Sequence, residues 1–216
     1  MPPRPYHHGA LRDALIEATE ALLAAGGPTS FSLREVARRA GVSPAAPAHH
    51  FGDTAGLLTA VATQAFDSLT AALHEGEERA GTDPRKRLVG QGLAYVAYAM
   101  RYPGRFRLMF GEELDAGSPE LARAGNTAFL VLEDGIRAAF GIARGAPLNA
   151  GASSALLALW SAVHGFAHLT IAGRFDEISR GSRAAFVKQS LGPVLDAVVD
   201  GTIPAPNPRR PRRASK

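Results

Sequence analysis

Within twenty residues, from Ser32 to Phe51, the chain writes a helix start, a helix stop and a second start. Ser32-Leu33-Arg34-Glu35 is a capping box: the Ser32 hydroxyl accepts from the Glu35 N–H, and the Glu35 carboxylate returns to the Ser32 N–H. Phe31 and Val36 stand at the two hydrophobic-staple positions, so a helix begins at Leu33. Gly41 then follows Ala40 where a left-handed C-terminal glycine belongs. Ser43-Pro44 restarts a helix at once, with Ser43 as N-cap and Pro44 at the first helical position, where no backbone N–H is needed. Two short helices about a glycine turn, with a longer helix packed behind them, make a helix-turn-helix. Pro47 is the awkward residue. As the fourth helical residue it forfeits the bond to the Ser43 carbonyl and pushes Ala46 from helical angles, so the opening turn must tighten or bend.

The rest of the chain is helical by pattern. Leu11, Leu15, Ala18 and Leu22 recur at helical spacing, as do Ala62, Phe66, Leu69 and Leu73, and no run alternates in the manner of a strand. Breakers divide the sequence at Gly26 to Pro28, Gly41, Gly52, Gly81 to Pro84, Pro103-Gly104, Gly117 to Pro119, Gly145 to Pro147 and Gly173 to Gly181. The reading is all-α, with about nine helices. A fourth helix, capped by Asp53 or Thr54, reaches about His74, and the last two run roughly over Ala152 to Ala172 and Arg183 to Asp200. Residues 1–52 form the helix-turn-helix unit, 53–203 a larger helical domain, and 204–216, proline-rich and basic, a disordered tail.

Composition narrows the chemistry. There is no Cys, which removes thiolate metal sites and thiol nucleophiles and fits a reducing compartment. Net charge is +1 over residues 1–51, −2 over 52–206 and +5 over 207–216, so the basic balance belongs mostly to the tail and is no evidence for a basic folded surface. Gly145 to Gly173 carries no charged residue, but Asn149, Ser153, Ser154, Ser161, His164, His168 and Thr170 interrupt it. A helix inside a protein or a dimer can pair those groups and lipid cannot, so no membrane partner is expected. The polar start MPPRPYHHG does not read as a secretion signal, and a cytoplasmic location is expected. No nucleophile elbow, P-loop, Rossmann glycine pattern or Glu-x-x-His motif is present, which argues against an enzyme. His164 and His168, at i and i+4, could meet one metal, but Gly-Phe-Ala between them lacks the Glu of a metalloprotease motif and no third ligand is near. The expectation is no metal and no cofactor, with a buried polar pair beside Trp160 as the plainer reading.

The stretch YHHGALRDALIEATEALLAAGGPTSFSLREVARRAGVSPAAPAHHFGDTAGLL resembles the DNA-binding domain of TetR-family transcriptional repressors. YAMRYPGRFRLMFGEEL and WSAVHGFAHL resemble, more loosely, the regulatory domain of the subgroup named for its Trp, His and Gly, here Trp160, His164 and Gly165. The resemblance implies a one-component repressor. It would grip double-stranded operator DNA as a homodimer and let go when a small, apolar or aromatic effector binds. Helix four, joining both domains, would be the lever that sets the spacing of the two readers.

The resemblance also places the sites. DNA contacts are expected from Ser43, Pro44, Ala45, Ala46, Ala48, His49 and His50 at the reading helix, with Arg34, Arg38, Thr54 and Arg4 of the N-terminal arm as positioning contacts. The reading helix has no Arg or Lys, so apolar contacts to thymine methyls, DNA shape and dimer spacing must carry specificity. Family members commonly place an aromatic where this chain has Ala48 and a Lys where it has Ala55. With fewer phosphate anchors, each worth about −0.9 in the salt slope, a shallow salt dependence is expected. The effector set is Tyr98, Phe106, Met109, Phe110, Phe129, Trp160, His164 and His168. A four-helix dimer interface is expected from Leu156, Leu159, Val163, Leu191, Val194, Leu195 and Val198. Two alternatives are an effector-blind dimeric DNA-binding protein and a helical metal enzyme using His164 and His168.

Overall fold

The computed structural model describes residues 8–26, 32–115, 117–179 and 182–204. Among them the chain forms nine helices and no strand. They are α1 (His8–Gly26), α2 (Leu33–Ala40), α3 (Ala46–Phe51), α4 (Thr54–Arg79), α5 (Pro84–Arg101), α6 (Pro103–Met109), α7 (Pro119–Phe140), α8 (Ala150–Ile171) and α9 (Arg183–Thr202). Each later helix starts where local chemistry starts it. Asp83, Ser118, Asn149 and Ser182 turn their side chains onto backbone N–H groups of the first turn, and Pro84 and Pro119 sit where a missing N–H costs nothing.

The helix-turn-helix forms with three departures from expectation. Ser32 accepts from the Glu35 N–H at 3.3 Å, but the Glu35 carboxylate turns forward to Arg38, so only half of the capping box closes. The Phe31 half of the staple lies outside the described residues. Gly41 ends α2 in the left-handed region (φ 67°), and the Val42 N–H closes the cap on the Ala37 carbonyl. The second departure concerns Pro47. α3 begins at Ala46 instead of Pro44, and Ser43 makes no side-chain cap. The reason is the missing N–H: the Ser43 carbonyl is taken by Ala46 N–H at 3.0 Å, a tightened three-residue turn, and α-type bonding resumes with His49 N–H on the Ala45 carbonyl. Pro47 thereby falls in the first turn, where it is harmless, and Ala46 stays helical. Thirdly, α4 is capped by Asp53 as expected, but it runs five residues beyond His74, to Arg79. Gly76 does not end the helix because it packs against α5, where a Cβ would meet the Gly90 carbonyl oxygen at 2.6 Å, and Glu77 on the buried side anchors the extension.

Three apolar clusters order the chain. Leu15, Ala18, Val36 and Leu57 seal α1 and α2 against the first turn of α4. Ile16, Leu23, Leu58, Val61, Ala62 and Leu108 form the second, which joins α1, α4 and α6. The third and largest is built from α4, α5, α7, α8 and α9 around residues such as Leu69, Leu88, Val96, Ile136, Leu159 and Leu195. α4 enters all three, so the reading unit and the larger bundle share one continuous spine.

α6 ties the pieces together. Gly104 lies so close to α1 that a Cβ there would meet the Leu23 backbone at 3.0 Å. Next to it, Arg105 pairs with Glu20 of α1 and lies over the Tyr102 ring. Arg107 donates to the Ile171 carbonyl at the end of α8.

α8 is the one described helix long and apolar enough to cross a membrane by length and composition. In the fold its Ala152, Ala155, Leu156, Leu159, Val163 and Ala167 are core residues, the Thr170 hydroxyl donates to the Phe166 carbonyl, and His164 meets Tyr95.

Candidate nucleic-acid interface and apolar cavity

The first candidate site is the outer surface of α2, α3 and the turn between them. Arg34 is exposed, as are Ser43, Pro44, Ala45, Ala48, His49 and Thr54 at the start of α4. Ala46 and His50 are half-buried; the His50 ring sits between those of His49 and Phe51. Pro47 is buried and forms the inward face of α3. Arg38 is exposed but holds Glu35 in a two-point ion pair (2.9 and 2.6 Å), and the Arg38 hydrogen bonds hold the Glu35 carboxyl below its ordinary range. A phosphate would have to compete with that carboxylate. Arg4 lies outside the described residues. Two basic residues were missed by sequence reasoning. Arg39 is exposed beside Arg38, and Arg12 of α1 lies over the Phe51 ring at 5.4 Å, placing a cation at the C-terminal end of α3. Their signal was only that they are two of the five Arg among residues 1–51; which face each served was a tertiary matter.

The inner geometry fixes α3 against α4. A Cβ on Gly56 would lie 2.1 Å from the Phe51 carbonyl oxygen, so only glycine lets the first turn of α4 close on the end of the reading helix.

The second site is a cavity in the large bundle. By a measure in which one water needs about 10–15 Å³, it offers about 100 Å³, and it is lined almost entirely by carbon. Phe66, Leu69 and Leu73 of α4, Leu88 and Tyr95 of α5, Phe129 and Leu132 of α7, and Leu159, Trp160 and Val163 of α8 form its walls, with Phe110 at the end of α6. Of the expected effector set, Phe110, Phe129 and Trp160 line it. The other members do not. Tyr98 is buried behind α4 and donates to the Ala65 carbonyl at 2.8 Å, and burial pushes its hydroxyl up to about 12. Phe106 and Met109 are core residues, since a helix as short as α6 turns only its C-terminal Phe110 toward the space. His164 stands one layer behind, its Nδ1 2.8 Å from the Tyr95 hydroxyl, and His168 packs edge-on against the His164 ring at 4.5 Å. Burial, and secondarily the neighbouring His168, lowers the His164 pKa and so favours a neutral ring beside Tyr95. Among the described residues no third metal-capable side chain joins this pair.

Sequence reasoning also missed Phe66, Leu88, Gln91 and Gly125 as cavity lining. Gln91 had a signal. It falls on the stripe Leu88, Gln91, Tyr95, Ala99, a polar residue at a position where helical periodicity demands an apolar one.

The dimer expectation needs correction. Leu156, Leu159, Val163, Leu191 and Leu195 are buried within the protomer, and Leu159 and Val163 line the cavity; Val198 is half-buried against the same core. Of that set only Val194 is well exposed (45%). The open apolar surface is the opposite side of α8, where Leu157 (57% exposed) and Leu169 (46%) flank Ser154, Ser161 and Gly165. α8 is apolar around nearly its whole circumference, so its sequence alone could not say which side faces inward.

A helix-turn-helix reader continuous with a helical bundle built round an apolar cavity defines a class: transcription factors that carry their own regulatory domain. Residues 15–61 match the model for bacterial regulatory proteins of the tetR family, and residues 88–191 match the tetracyclin repressor-like C-terminal domain. A curated relative, the HTH-type transcriptional regulator BetI of Stenotrophomonas maltophilia, is 36% identical over 77 residues, a stretch spanning 36% of this chain and 39% of that protein. Among solved structures, a protein of unknown function from Rhodococcus sp. RHA1 is 31% identical with a TM-score of 0.77, covering 94% of this chain and 100% of its own. A TetR family transcription regulator from Marinobacter aquaeolei (20% identity, TM-score 0.63, 90% and 96% covered) shares the fold. So does the regulator FadR of Bacillus subtilis, solved in complex with stearoyl-CoA (12%, TM-score 0.61, 86% and 98% covered). The chain belongs to the TetR family of bacterial transcriptional regulators.

Proposed function

We propose that this regulator is a homodimeric, one-component repressor whose α2–α3 surface grips operator DNA and whose cavity admits a small apolar effector that loosens the grip. One observation carries the reading. The cavity is walled by Phe66 of α4 and Phe110 at the end of α6, and these two helices also pack against the DNA-reading unit through the Ile16, Leu58 and Leu108 cluster. A molecule that parts Phe66 from Phe110, now edge to face at 5.9 Å, changes how α4 and α6 sit on α1. Two reading helices must lie about 34–36 Å apart to enter successive major grooves, so a small rotation of α4 in both protomers spoils the fit. The effector shifts the population only by its preference for the loosened state. Dimerisation rests on the exposed side of α8, with Val194, Ala197 and Gly201 of α9 as a second uncharged facet. The site of action is the DNA of the cytoplasm.

The test is selection of duplexes by the full chain from a random pool. A two-fold site with half-sites about 10 bp apart, or a multiple of that, is the expected product. Effector release is then followed by anisotropy on that site, comparing wild type with Phe66→Ala. The expected result is retained binding with a blunted response in the variant. Selection of no sequence at low salt overturns the DNA-binding reading, and equal response of both proteins overturns the role of Phe66.

A further inference from the structure

Among the described residues, the Gln91 carboxamide oxygen is the buried polar side-chain atom left without a hydrogen-bond partner. Gln91 is 3% exposed and belongs to the cavity wall. Its orientation is decided by its neighbours. The Nε2 group donates to Glu77 Oε1 at 2.6 Å and to the Val131 carbonyl at 3.2 Å, both of which only accept. Flipping the amide would set its oxygen against a carboxylate and a carbonyl, so Oε1 must look elsewhere. Glu77 is itself fixed by Arg87 at 3.4 Å and His74 at 3.2 Å. The chain thus spends a buried carboxylate, a carbonyl and two further side chains on fixing the amide of a residue that lines the cavity, with its oxygen left unmatched. Leaving a buried acceptor unmatched is unfavourable, and a donor that reaches it recovers that loss.

The other polar group of the wall is already satisfied. The Tyr95 hydroxyl is hydrogen-bonded to His164 Nδ1 at 2.8 Å. No Lys, Arg or His lines the cavity, so an anion would meet no counter-charge and would lie near Glu77. Building on the reading of this cavity as the effector site, we infer that it takes a compact, neutral, single-ring molecule that donates one hydrogen bond, through a hydroxyl or N–H, to Gln91. Phe66, Phe110, Phe129 and Trp160 supply ring faces and edges for such a ligand. A hydrophobic wall tolerates a missing methyl group, whereas an orphaned acceptor discriminates sharply against a ligand without its donor.

The experiment titrates full-length protein with phenol, anisole and benzoate, which share a ring and differ in donor and charge. Binding is read by calorimetry and by the fluorescence of Trp160, the one tryptophan of the chain and part of the cavity wall. The expected order is phenol about tenfold tighter than anisole, with benzoate weakest. Gln91→Leu should reduce phenol to the level of anisole and leave anisole unchanged. If that variant does not fold, the phenol-to-anisole ratio of the wild type decides alone. Equal affinity for phenol and anisole, or tightest binding of benzoate, overturns the donor inference while leaving the cavity a ligand site. Failure of all three to bind overturns it as well. The effector reading is judged separately, by whether bound phenol weakens the protein's hold on its selected duplex; a ligand that binds with the expected preference and leaves DNA affinity unchanged sinks that reading and spares the inference.

Discussion

His164 shows how a polar residue can sit inside an apolar bundle without strain. Its Nδ1 is hydrogen-bonded to Tyr95, whose hydroxyl burial pushes well above the usual phenol range, so both groups are favoured in the neutral state. The consequence for pH has a definite sign. The folded pKa of His164 lies below its unfolded value of about 6.5, so the unfolded chain takes up the proton first and stability falls as pH drops through 6.5 toward the folded pKa. Melting followed between pH 8 and pH 5 should show a loss that His164→Gln reduces; identical slopes would assign the loss to other groups. Gly56 makes a second prediction at this scale. Gly56→Ala drives a methyl into the Phe51 carbonyl, and the overpacking should cost about 1–3 kcal/mol in urea unfolding and displace α3 from its reading position. Unimpaired stability in that variant would mean that α3 is free to shift.

Among the helices, α6 is short and disproportionately connected. Its first turn touches α1 through Gly104 and the Arg105–Glu20 pair, Arg107 holds the end of α8, and Phe110 reaches the cavity. On the proposed mechanism, α4 is one lever of two. Arg105→Ala leaves the partly buried Glu20 without its cation, at a cost of about 1–3 kcal/mol. Ligand affinity should survive, because Arg105 is remote from the cavity wall, while the loss of DNA affinity that a ligand causes should shrink. Measuring duplex affinity with and without saturating phenol in both proteins gives the coupling directly. An unchanged ratio would remove α6 from the path.

For the whole molecule, the decisive feature is which apolar surface is spent inside and which is left over. Leu157→Arg places a charge on the exposed side of α8 and should yield a monomer by light scattering, with operator binding lost and the melting of the isolated protomer little changed. Leu195→Ala, in the core, should instead cost about 2–5 kcal/mol of stability, because it empties a fully buried site. A dimeric Leu157→Arg protein would return the interface to another surface.

The helices, their starts and most of their ends were legible in the chain, because caps, glycines and prolines act within a turn of where they stand. Ser32, Gly41 and Asp53 needed no distant partner to do their part. Pro47 tightens the opening turn, as its position in the sequence implies, and the start of α3 moves with it, since a single missing N–H decides which carbonyl pairs with which. What the sequence could not fix was facing. α8 is apolar on almost every side, so only packing against α5, α7 and α9 determined that Leu159 and Val163 would border a cavity while Leu157 and Leu169 remained outside. Gln91 and Glu77, fourteen residues apart on different helices, became one polar device only when α4 and α5 came together. Local hydrogen bonding sets where a helix begins and stops; the choice of its inner side depends on neighbours that the chain supplies from far away.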